Sequence, residues 1–161
     1  MSNYSKGIDR IQPEKIQEVM YGDVKVIHDY PPVWGSVCKA FQIIPKYAVF
    51  SYGDCVYNPS GQHLPDDIIE HEKVHLRQQK YSREEASLWF GKFLRDPEFR
   101  ISQEIEAYAE QYKYLCKQFS DRNKRFKVLH NLGSIMSGPI YNKCITCSEA
   151  MERIKKQSKV I

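Results

Sequence analysis

The chain has 161 residues, 42% hydrophobic and 27% charged, the make-up of an ordinary globular protein with enough length to bury a core. A net charge of +4 is too mild for the basic stripe of a nucleic-acid binder, and the basic runs at 123–127 and 155–159 read as solvated helix faces. No apolar run approaches the ~20 residues of a membrane span, so no membrane partner is expected.

In chain order, the opening segment Met1–Arg10 is polar and lacks the basic-then-apolar pattern of a secretion signal. That predicts a cytoplasmic product, free-standing or incorporated into a larger assembly made there. The five cysteines, Cys38, Cys55, Cys116, Cys144 and Cys147, are an odd number, which argues against a disulfide framework; only Cys144 and Cys147 stand at metal or redox spacing. The first third reads as strands and turns. Residues 23–28 alternate polar and apolar, and Tyr30-Pro31-Pro32-Val33 ends that strand. Residues 48–52 and 55–57 flank Gly53-Asp54, a two-residue hairpin signal.

From residue 65 the pattern is helical. Pro65 suits a first helical position and Asp66 and Asp67 complement the helix dipole, predicting a helix to about Lys80. Ser82 and Glu85 form a capping box for the next helix, and Asp96-Pro97 stops that one and starts a long third. A fourth is expected over about 121–136, and Thr146 with Glu149 caps a last short helix. Trp34, Trp89, Phe90 and Phe93 read as core. The whole, 1–161, is expected to be one α+β domain, strand-rich over 1–62 and helical over 63–161.

Within the first long helix stands His71-Glu72-Lys73-Val74-His75. Four residues apart on a helix, the two imidazoles share one face, one turn apart, as a zinc ion requires of such a pair. Glu72, on the adjacent edge, is badly placed to ligate but well placed to take a proton from a zinc-bound water. The third ligand must come from elsewhere. A metzincin would have a histidine at position 81, which is Tyr81, and a glycine where Gln78 stands. The third helix offers Glu104, which shares a face with Tyr108, and Glu106, which does not.

These residues resemble the gluzincins, zinc metallopeptidases with a His-Glu-x-x-His helix and a glutamate ligand on a later helix. In one branch that later helix reads Glu-x-x-Ala-Asp, and Glu104-Ile105-Glu106-Ala107-Tyr108 is similar to it with Tyr108 in place of the Asp. The resemblance implies a zincin-like fold, with a small antiparallel sheet or hairpin before a mainly helical part. It makes His71, His75 and Glu104 ligands of Zn2+, with Glu106 the fallback, and Glu72 the general base of peptide-bond hydrolysis. An oxyanion donor is implied, for which Tyr108, His130 and Tyr141 are the candidates. The hairpin at 48–57 would hold a polypeptide substrate by strand pairing, with Tyr47, Phe50, Tyr52 and Tyr57 along the cleft. The motifs also look like those of small stand-alone zincin-like proteins of tailed bacteriophages and bacteria. That likeness implies the alternative of a structural or assembly protein, such as a phage virion component, whose zinc site does not turn over.

Overall fold

The computed structural model describes residues 17–161. Two tight hairpins supply all the described strands. In the first, Gly22-Asp23 joins β1 (Glu18–Tyr21) to β2 (Val24–Ile27); in the second, Gly53-Asp54 joins β3 (Phe50–Tyr52) to β4 (Cys55–Tyr57). Gly53 has φ +67°, a left-handed conformation that glycine takes without a Cβ penalty. The hairpins join side by side through β2 and β4, which run parallel with Val26 opposite Val56, giving the order β1-β2-β4-β3.

A parallel pairing needs a crossover, and the chain makes it through α1 (Trp34–Ala40). Strands and turns alone were expected there. This helix has only seven residues, has no acid in its first turn and begins at Val33 without a side-chain cap, so none of the usual start signals marks it.

The remaining helices are α2 (Asp66–Gln78), α3 (Arg83–Arg95), α4 (Pro97–Gln118), α5 (Arg122–Met136) and α6 (Cys147–Ser158), with a 3-10 turn at Pro139–Tyr141. Four begin at the residues that the sequence marks: Ser82, Asp96, Asp121 and Thr146 each accept a backbone N–H from three residues on. Pro65 is the N-cap of α2 rather than its first helical residue. The boxes at Ser82 and Thr146 are half made, because the glutamate side chains turn outward to Lys80 and Arg153 instead. No described helix is long and apolar enough to cross a membrane, and all five cysteines are free.

Three apolar clusters hold these elements. Ile69 and Leu76 of α2 pack on Val24, Val26 and Val56 of the sheet. Trp89, Phe90 and Phe93 of α3 pack with Val37 of α1 and the other sheet residues. Ile101, Ile105, Tyr108 and Tyr112 of α4 pack against α5 and α6. Helix α2 thus turns one face to the sheet and presents the other to α4. The histidines lie on that second face.

Candidate metal centre

His71 and His75 are buried on α2, and Glu104 is buried on α4. Their ligating atoms lie within 4.8 Å of one another, a grouping of the kind that holds a metal ion. The two Nε2 atoms are 3.2 Å apart. The Glu104 carboxylate forks between them, Oε2 lying 3.5 Å from Nε2 of His71 and Oε1 3.6 Å from Nε2 of His75. Tetrahedral ligands at ~2.0–2.1 Å from one ion stand about 3.3 Å from each other. The three side chains therefore need almost no rearrangement to share a cation.

The outer hydrogen bonds decide which ring nitrogens are free. Nδ1 of His71 lies 3.1 Å from Oε1 of Gln111, whose amide nitrogen is spent on Oδ2 of Asp67 at 2.8 Å. Nδ1 of His75 lies 2.8 Å from Oε1 of Gln78, whose amide nitrogen donates to the Gln103 carbonyl and to Oε2 of Glu106. Asp67, Glu106 and a carbonyl are acceptors only, so both amides must turn their oxygens to the imidazoles. Each imidazole then carries its proton on Nδ1, and both Nε2 lone pairs face each other and a carboxylate. Three electron-pair donors in a buried space call for a cation or an added proton.

The charge balance points the same way. Burial works against charge on His75, but the Glu104 carboxylate outweighs it, and the pKa is pushed up to about 9. Glu104 resists its own burial through the two imidazoles and sits well below the usual carboxylate range. Tyr141 donates to Oε2 of Glu104 at 3.0 Å, and Tyr108 reaches the Tyr141 hydroxyl at 3.1 Å. Burial first, then the Glu104 charge, raises both phenols far above their ordinary range.

Glu72 faces the same cleft and is buried. Ser51 on β3 donates to its Oε2 at 2.8 Å, and the Ser51 hydroxyl also lies 3.0 Å from the Glu72 carbonyl. Gln79, fully buried, ties the hairpin to the same helix: it accepts from the Gly53 N–H at 2.7 Å and donates to the Ser51 carbonyl at 3.0 Å.

No protein family, curated protein or solved structure matches this chain. The site must therefore be read from its own geometry.

Of the residues singled out in the sequence, His71, His75, Glu104, Glu72, Tyr108 and Tyr141 all line one cleft. Glu106 does not join them; it anchors Gln78 and Arg77 on the outer side of α2. His130 lies exposed on α5 beside Phe126 and lines no part of the cleft. Tyr47 and Phe50 reach the cleft, whereas Tyr52 and Tyr57 are buried in the core. Only β3 of the second hairpin is an edge strand, since β4 pairs on both sides. Trp89, Phe90 and Phe93 are core residues, as expected, but they also form a cleft wall.

Tyr108 packs its ring edge-on against His71, centroids 4.5 Å apart, and makes no bond to it. The acceptor that His71 needs comes from Gln111, one turn further along α4. The sequence marks Gln78 only as the residue in place of a metzincin glycine, and it gives no reading for Gln111 or Ser51. For Gln111 a signal existed, its spacing of seven from Glu104, which places both on one helix face.

Proposed function

We propose that this chain is a zinc-dependent peptidase of gluzincin type, zincin-like in fold, with His71, His75 and Glu104 as the ligands. The observation that carries the reading is the convergence of two Nε2 lone pairs and one carboxylate, with Glu72 on the same cleft. Two imidazoles and a carboxylate suit zinc, and their spacing fits its tetrahedral bond lengths. A structural zinc site is closed by four protein ligands, whereas three ligands on an open cleft leave a position free. That favours turnover over a purely structural or assembly role.

Zinc would supply Lewis-acid polarisation of a carbonyl and ready ionisation of water. The protein's residues do the rest. Glu72, held by Ser51, takes the proton of the attacking water and delivers it to the leaving nitrogen. The C–N bond breaks, the water oxygen stays on the carbonyl carbon, and the products are a carboxylic acid and an amine. The Tyr108–Tyr141 pair holds Glu104 in register through the hydroxyl of Tyr141. Those bonds commit the Tyr141 proton to Glu104 and the Tyr108 proton to Tyr141, so either phenol would have to turn away to reach an oxyanion formed in the cleft. Residues 48–50 of the loop before β3 and of β3 itself line the cleft and supply backbone for an extended peptide to pair with.

Metal content by mass spectrometry tests the site, with one zinc per chain expected in the wild type and none in His75→Ala. Glu72→Gln should keep its zinc while peptide cleavage falls by about 10²–10⁴. Unchanged cleavage in Glu72→Gln removes the proposed base.

A further inference from the structure

The chain's mild net charge is unevenly spread. Residues 111–130 cover the end of α4, the corner after it and the first part of α5. They hold six lysines and arginines and one acid, Asp121, a net charge of +5 where the whole chain has +4. Most basic residues near helix ends have a local reason. Lys117 stands in the last turn of α4, and Lys155 and Lys156 in the last turn of α6, where cations complement the helix dipole. Arg125 closes the end of α4, donating to the carbonyls of Phe119 at 2.7 Å and Cys116 at 3.1 Å. Arg122 and Lys124 have no such reason. They stand in the first turn of α5, which holds no acid, so both sit against the positive end of the dipole.

The fold offsets little of that repulsion. Asp121, the N-cap, is the one acid beside the start of α5, and its carboxylate accepts the backbone N–H of Lys124 at 2.7 Å. The Lys124 ammonium lies over the Phe119 ring, 5.8 Å from its centre. Among the described residues, the only ion pair of this corner joins Lys113 to Glu110 at 3.4 Å. Arg122, Lys124 and Lys127 stay exposed, and in their midst stands Phe126, exposed to 58%. Arg122, Phe126 and His130 recur at steps of four, which sets them along one side of α5. The Phe126 and His130 rings lie 6.3 Å apart, tilted by 33°.

Uncompensated cations around an exposed ring fit a strand of phosphates with a base laid on the ring. Phosphates bring the negative charge that the corner lacks, and an unpaired base has a flat face for Phe126 to cover. A duplex keeps its base faces inside the stack. A lipid surface would need an apolar helix face, and α5 turns Leu129, Leu132 and Met136 into the core. An acidic peptide would meet the cations and leave the ring in water. We infer that the α4–α5 corner binds single-stranded nucleic acid, with Arg122, Lys124 and Lys127 on phosphates and Phe126 under a base. None of these four residues lines the metal cleft, so the inference stands apart from the peptidase reading.

Fluorescence anisotropy of the full chain with labelled oligothymidylate and oligouridylate of about 20 nucleotides tests it. Both strands should bind, and log K should fall against log salt with a slope of about −2, the value for three phosphate contacts. Lys127→Glu should weaken binding by about 10-fold or more. Phe126→Ala should weaken it by about 5-fold or more at an unchanged salt slope. Arg122→Glu should weaken binding and yet raise Tm by about 1–4 °C, because its carboxylate complements the dipole of α5. That opposition separates a binding surface from a damaged fold. No binding at low salt, or Phe126→Ala binding as well as the wild type, overturns the inference. So does a duplex, polyglutamate or a phosphatidylserine vesicle bound as tightly as the single strands.

Discussion

At the scale of single residues, the centre is organised by neutral amides. Gln111 and Gln78 each accept from one imidazole and pass the connection on to a carboxylate, Asp67 or Glu106, held away from the ligands. A carboxylate bonded directly to the ring would add negative charge at the metal; an amide fixes the tautomer without adding it. Gln111→Ala should therefore lower zinc affinity by about 10–100-fold while leaving His71 in place. Competition against a fluorescent chelator measures it, and an unaltered affinity would assign Gln111 to packing alone. These partners were hard to see in the sequence because glutamine has no spacing rule of its own. Its role depends on what stands opposite it, 40 residues away in the pairing of Gln111 with His71. The histidine pair and Glu72 were legible because their geometry is internal to one helix.

At the scale of elements, the helices were legible where a local hydrogen bond starts them. Ser82, Asp96, Asp121 and Thr146 cap the helices that they precede. The second hairpin was legible for the same reason, its turn being written in two adjacent residues. The first hairpin carries the same Gly-Asp pair at 22–23, yet only one of its strands was recognised, because Glu18–Tyr21 is a half-exposed edge with little alternation to mark it. Gly53 does more than turn the chain. A Cβ there would lie 2.8 Å from Cγ of Arg83 and 3.0 Å from its backbone nitrogen, so α3 begins directly against the hairpin. Gly53→Ala combines left-handed strain with a clash against backbone, and should destabilise by about 1–3 kcal/mol in urea unfolding. A loss below ~0.5 kcal/mol, the ordinary range of a surface substitution, would mean that the helix start yields easily.

At the scale of the whole molecule, the centre joins two halves whose association no local pattern announces. Helices α2 and α4 meet at three ionisable groups, and the charge state of those groups feeds into stability. Without metal, His75 titrates near 9 instead of 6.5, so its proton stabilises the fold fully below about pH 6.5, and that contribution is lost as pH rises through about 9. Glu104, depressed, contributes above its ordinary carboxylate range and is lost only in acid. The metal-free protein should therefore lose thermal stability between about pH 6.5 and 9. The zinc-loaded protein, in which the ion takes the place of the proton, should hold level across that window. Zinc at a hundredfold excess over its Kd should add about 2.7 kcal/mol, roughly 5–10 °C in Tm for a chain of this size. Calorimetry at several pH values, with and without chelator, checks both, and a metal-free Tm indifferent to pH over that range contradicts the account. The mixed sheet order, with its parallel seam between two hairpins, was likewise illegible, since it depends on the unannounced helix α1 for its crossover.

The fastening of the hairpin by Gln79 reaches beyond the centre. By occupying the carbonyl of Ser51, that side chain removes a rung from the outer border of the sheet, where a stray strand would otherwise add. The fastening thus closes the β3 border at Ser51, while β1 (Glu18–Tyr21) forms the opposite border of the sheet.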